Sequence, residues 1–153
     1  MKKILFPAAL CFMALATNSF AQKKGPDKIL GNKIYEVELT AQGGKKAAEP
    51  EKDEISFKGG KLVTKMLQTD FEFEAAPYTV TVDSTNMVEG KPTISFEAES
   101  KNTADEPMKW TGTVTGETIE GTVVWTGKKG KVKKEYTFTG TQKGKKKKTA
   151  PTK

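Results

Sequence analysis

WTGTVTGETIEGTVVWTG occupies residues 110–127, and its even spacing of tryptophan, glycine and threonine decides the fold. If Gly116-Glu117 is a two-residue hairpin loop with glycine first, Val114 faces Ile119, Gly112 faces Gly121, Trp110 faces Val123 and Met108 faces Trp125. Every apolar residue then meets an apolar residue or a glycine, and a slip of one residue throws each of them onto the other face. Thr111, Thr113 and Thr115 fall on the opposite face, where β-branched residues suit a solvated sheet. Gly112, Gly121 and Gly140 are inward positions without a side chain. Two roles are open to them: tight bends where a sheet coils to close, or floor space for a ligand.

The same alternation extends in both directions from this hairpin. Gly59-Gly60 sets Phe57 against Leu62 and Ile55 against Thr64. One face of the remaining runs reads Tyr35, Val37, Leu39; Tyr78, Val80, Val82; Ile94, Phe96, Ala98; and Tyr136, Phe138, Gly140, while glutamates and threonines take the other. Eight strands are expected, at 32–41, 53–58, 61–67, 77–83, 92–100, 107–115, 118–126 and 133–141, with no sustained helical period anywhere. One buried and one wet face per strand is the signature of an antiparallel sheet with one side in water. Short turns and no crossover helices predict an all-β, eight-stranded antiparallel up-and-down barrel, closed so that no edge strand is left exposed. The alternative is a two-sheet β-sandwich.

The chain opens with Met1-Lys2-Lys3, an apolar run from Ile4 to Ala16, and small residues at Ser19 and Ala21. That is the pattern of a secretory signal peptide over residues 1–21, with an apolar run too short to span a bilayer. Cys11 follows Leu10 and lies too near the start for a lipoprotein signal. The expected product is exported, periplasmic or extracellular, has no transmembrane segment, and begins at Gln22. It contains no cysteine, histidine or arginine, so no disulfide is expected. The net charge of +7 becomes +5 once Lys2 and Lys3 are removed, and −1 without the six lysines at 143, 145, 146, 147, 148 and 153. Residues 22–142 therefore read as one nearly neutral barrel domain. Residues 143–153 read as a basic tail, expected to be disordered because it has almost nothing apolar to bury.

Composition also narrows the chemistry. Cysteine and histidine nucleophile systems have no residues to use, and the common zinc, copper and haem sites lack their ligands. The carboxylate pairs Glu36/Glu38 and Glu97/Glu99 fall on outer faces, whereas a glycosidase needs two carboxyls opposed across a cleft. Asp105-Glu106 lacks a calcium-loop signature. No catalytic residue, metal site or cofactor is expected, and the protein reads as a non-enzyme.

Four stretches resemble the calycin group of lipocalins, fatty-acid-binding proteins and avidins, and more specifically the small lipocalin-like barrels that bacteria export. They are Leu30-Gly31-Asn-Lys-Ile-Tyr35, Ile55-Ser-Phe-Lys-Gly-Gly-Lys-Leu62, and the aromatic-Thr-Gly-Thr repeats at Trp110–Thr113 and Phe138–Thr141. The resemblance implies a barrel over residues 29–142 and a small lipophilic ligand. It departs from lipocalins at Gly31, which is not followed by their Gly-x-Trp, and in the lack of any arginine to pack over such a tryptophan.

The expected function is binding of a small apolar or amphipathic molecule inside the barrel by a monomer, since eight strands enclose either a filled interior or one small ligand. Tyr35, Phe57, Trp110, Gly112, Gly121, Trp125, Tyr136 and Phe138 are the expected lining. Phe71 and Phe73 sit in the one long apolar connection, as a portal or as core closing one end. The alternative is a packed module of the cell envelope that binds anionic polymer or lipid through Lys143, Lys145, Lys146, Lys147 and Lys148. Without arginine for bidentate phosphate contacts or interleaved aromatics for base stacking, specific nucleic-acid binding is not expected.

Overall fold

The computed structural model of the chain describes residues 26–43 and 49–144. Eight strands form within them: β1 (Ile34–Ala41), β2 (Glu51–Lys58), β3 (Lys61–Thr64), β4 (Ala76–Val88), β5 (Lys91–Lys101), β6 (Pro107–Thr115), β7 (Thr118–Thr126) and β8 (Val132–Gln142). Each pairs antiparallel with the next in chain order, and β8 returns to β1 to close a barrel. Closure rules out the two-sheet sandwich and leaves a sheet without free lateral ends. The 110–127 hairpin adopts the register that its alternation predicts, with Gly112 opposite Gly121 and Trp110 opposite Val123. Gly116 takes φ +62°, a left-handed conformation that a glycine at the first turn position adopts freely. The β2–β3 hairpin likewise pairs Phe57 with Leu62 and Ile55 with Thr64.

The structure departs from the expected pattern after Thr64. β3 was expected to reach residue 67; instead the chain turns into a seven-residue helix, α1 (Lys65–Phe71). The Met66 N–H donates to Asp53 Oδ1 at 2.9 Å, so a carboxylate on the neighbouring strand satisfies an orphan donor at the helix start. Because β3 is short, it meets β4 only at Lys61↔Pro77 and Leu62↔Ala76. Met66 and Phe71 pack half-buried against the core beside this short seam. Farther along, Phe73 makes an isolated bridge to Asn102 outside the ring of strands.

Inward positions from all eight strands form one core, in which Tyr35, Ile55, Phe57, Met108, Val114 and Val123 are fully buried. The two ends of the barrel differ. The turns at 59–60, 89–90 and 116–117 gather at one end with residues 26–33. There the Gln142 N–H donates to Glu117 O at 2.6 Å and the Lys143 N–H to Ile34 O at 2.8 Å, so β8 finishes at this end. The opposite end carries α1, Phe73, the Asn102–Glu106 turn and the Gly127–Gly130 turn.

At the closing seam β1 and β8 come close because Gly140 has no side chain: a Cβ there would lie 2.2 Å from Glu36 O and 2.6 Å from Val37 Cγ1. Gly140→Ala is therefore expected to lower stability by about 1–3 kcal/mol, and Gly121→Ala, whose Cβ would meet Thr111 O at 2.2 Å, by a similar amount. Thr122→Val, on the exposed face, should stay within about 0.5 kcal/mol. Urea unfolding of the three variants checks the assignment, and equal tolerance at all three positions would contradict it.

Candidate functional site

The barrel interior is the place where the expected lining residues meet. Tyr35, Phe57, Trp110, Tyr136 and Phe138 are all buried. Phe57 stands at the centre of an aromatic cluster, edge-to-face with Tyr35 (6.1 Å between ring centroids), Tyr78 (4.9 Å) and Phe96 (5.2 Å). Phe138 continues it, 6.4 Å from Phe96 and 6.2 Å from Trp110. Such pairs add stability beyond the apolar area they bury. Tyr78 and Phe96, which the same alternation sets on the inward face, join the expected lining residues in this cluster.

The glycines show what the interior space holds. A Cβ on Gly112 would lie 2.6 Å from Phe96 Cζ, and one on Gly121 would lie 2.6 Å from Phe138 Cζ. The volume that two missing side chains leave is thus taken by two phenylalanine rings of the same core. Interlocking of large and absent side chains is how a small barrel reaches interior packing density. One polar atom in this core stands apart: Tyr35 Oη is buried and has no hydrogen-bond partner among the described residues, and burial pushes its pKa up to about 12. Tyr78 is better served, its hydroxyl donating to Asp27 Oδ1 at 3.1 Å. The same oxygen accepts the Gly60 N–H at 2.8 Å, which ties the N-terminal 3-10 helix (Pro26–Lys28) to the β2–β3 turn.

Trp125 has inward parity but lies at the barrel end, half-buried. Phe71 and Phe73 stack edge-on against it at 5.3 and 5.4 Å, so the two expected portal residues form an aromatic closure. Its indole N–H donates to Glu106 Oε2 at 3.0 Å. Glu106 is buried and also accepts from the Lys133 ammonium, which lies 5.2 Å over the Trp125 ring. Lys134 sits 4.5 Å over Phe71. The Lys133 hydrogen bond, aided by donors from Trp125 and Asn102, holds the Glu106 carboxyl below its ordinary range. In the sequence Glu106 shows only as half of an acidic pair, because its partners Trp125 and Lys133 lie 19 and 27 residues away.

Outside the barrel, an open cleft of about 1000 Å³ runs between α1 and the strands β8, β1 and β2, lined by Glu36, Glu38, Asp53, Glu54, Lys65, Thr139 and neighbours. Burial raises the Asp53 carboxyl above its usual value, while backbone donors, Met66 first, pull the other way. Lys143, expected as the first lysine of the tail, is part of the barrel: its ammonium bridges Glu54 at 2.9 Å and Glu36 at 3.2 Å, which raises its own pKa. Lys145, Lys146, Lys147 and Lys148 lie outside the described residues. Among the described residues no group of three or more acidic side chains is placed to hold a metal ion, and no helix is long and apolar enough to cross a membrane. No family model, curated protein or solved structure matches the chain.

The closure at Glu106 makes an acid-dependent prediction. A carboxyl whose folded pKa lies below its ordinary 4.5 stabilises the fold above that value, and the stabilisation is lost as pH falls through the folded pKa. Asp53 acts in the opposite sense, since its raised folded pKa favours the fold when it is protonated. Glu106→Gln should therefore lower the urea midpoint at neutral pH and flatten its decline below pH 4.5, with a red shift of Trp125 emission. A variant with unchanged midpoint and emission would show that Glu106 does not hold the closure.

Proposed function

We propose that this protein is an exported, non-enzymatic barrel with a packed interior that acts at an anionic surface of the cell envelope through its lysine-rich C-terminal segment. The observation that carries this reading is the occupation of the inward glycine positions by Phe96 and Phe138, which leaves the outer surface and the chain ends to do the work. Lys145–Lys148 supply four positive charges within four residues, and each lysine near an anionic membrane contributes about 1 kcal/mol within a Debye length of about 8 Å at physiological salt. The kinship we favour is with the small lipocalin-like barrels, on the strength of the closed eight-stranded topology.

A second reading, an apolar or amphipathic ligand held inside, is favoured by one feature: the unpartnered Tyr35 hydroxyl in the core. A ligand reaching it would have to displace rings that now fill the space, so the packed reading stands first.

The chain from Gln22 to Lys153 should co-sediment with vesicles of phosphatidylcholine and phosphatidylglycerol at low salt and be released as salt rises. The same chain with Lys145, Lys146, Lys147 and Lys148 all changed to Gln should remain in the supernatant. Undiminished sedimentation of the substituted chain, or binding that ignores salt, would move the contact away from the lysines and overturn the proposal.

A further inference from the structure

The end of the barrel at which β8 finishes carries more than charge. β4 and β5 pair as far as Val88↔Lys91, whereas β5 and β6 stop at Thr93↔Thr115 and β3 leaves β4 at Pro77. The β4–β5 hairpin therefore projects past its neighbours, after a register shift between Asp83 and Met87. At its tip Met87 and Val88 are 52% and 48% exposed, two adjacent apolar side chains; the third large exposed apolar side chain among the described residues, Val132 at 51%, lies at the opposite end. Exposed lysines stand at the same end of the barrel: Lys91 on the hairpin itself, Lys28 before β1, and Lys58 and Lys61 flanking the β2–β3 turn. None of the four pairs with a carboxylate among the described residues. Asp27, Glu89 and Glu117 stand at the same end, and Asp27 is engaged by Tyr78 and Gly60. Lys143 is anchored here by Ile34.

We propose that this end of the barrel is the face that docks on an anionic bilayer, with Met87 and Val88 entering the interfacial layer while the lysines of the same end meet the headgroups. The inference rests on the proposed action at an anionic surface and adds which face meets it and what is buried there. A soluble polyanion has charge for the lysines but nothing apolar for Met87 and Val88. A second copy of the chain would bring its own lysines against these. Only a lipid surface offers negative charge and hydrocarbon within one side-chain length, the combination that interfacial binding uses.

The test uses the chain from Gln22 to Lys153 and vesicles of phosphatidylcholine with phosphatidylglycerol. The double substitution Met87→Asp, Val88→Asp should lower the partition coefficient about tenfold at low salt, as loss of two half-buried apolar side chains implies. Because the chain after residue 21 has no cysteine, Val88→Cys and Lys128→Cys can each carry a single environment-sensitive dye. Vesicles should raise and blue-shift emission at 88, and leave 128, at the opposite end, unchanged. Normal binding by the double variant, no dye response at 88, or equal responses at both positions would overturn the docking face. A response at 88 that grows with protein concentration and needs no vesicles would also overturn it, in favour of self-association. If the Lys145–Lys148 substitution abolishes binding while the double variant binds like its parent, the anionic-surface reading survives and this inference fails. If the parent chain does not bind at all, both fail.

Discussion

The fit of phenylalanine rings into the places of missing side chains is the constraint on which the rest of this barrel depends. Phe96 lies over Gly112 and Phe138 over Gly121, and those two glycines face each other across the β6–β7 hairpin. A side chain at either position would push a ring from the core or a strand from its ladder. Gly140 does the corresponding work at the closing seam, where Val37 and the β1 backbone occupy the space of its Cβ. Closure, register and core packing are thus one solution rather than three. That is why a single hairpin sequence carries so much information about the fold.

The two barrel ends are finished by different physics. At the α1 end, three aromatic rings, Phe71, Phe73 and Trp125, meet edge-on and are fastened by a buried carboxylate shared between Trp125 and Lys133. An ionised group in that position is tolerated because Lys133, Trp125 and Asn102 supply donors to it. The opposite end is held more lightly, by Asp27 linking the 3-10 helix to Gly60 and Tyr78, and by Lys143 bridging Glu36 and Glu54. Its exposed side chains include lysines, Glu89, Glu117 and the apolar tip of the β4–β5 hairpin.

Much of the fold was legible because period-two alternation and turn glycines are local signals. The β6–β7 and β2–β3 registers follow from Gly116-Glu117 and Gly59-Gly60 with no knowledge of the remaining strands. What escaped depends on distant partners. The end of β3 is set by Asp53, thirteen residues before Met66, and no pattern within 61–67 signals that carboxylate. Alternation gave Trp125 its inward parity, but its position at the rim depends on where β7 stands in the barrel, which one strand does not encode. Glu106 and Lys133 come together only once loops from two hairpins share an end. Lys143 looked like the first of a run of lysines, yet two glutamates on β1 and β2 claim it.

A packed interior is the premise of the proposed function. Thermal unfolding of the chain from Gln22 to Lys153, followed by tryptophan emission with and without a saturating panel of fatty acids and isoprenoids, tests it most directly. A packed core predicts an unchanged midpoint and unchanged Trp110 emission with every compound. A ligand that binds inside would stabilise the fold by about 2.7 kcal/mol at a hundred times its dissociation constant, and such a rise in midpoint, with altered emission, would contradict the account.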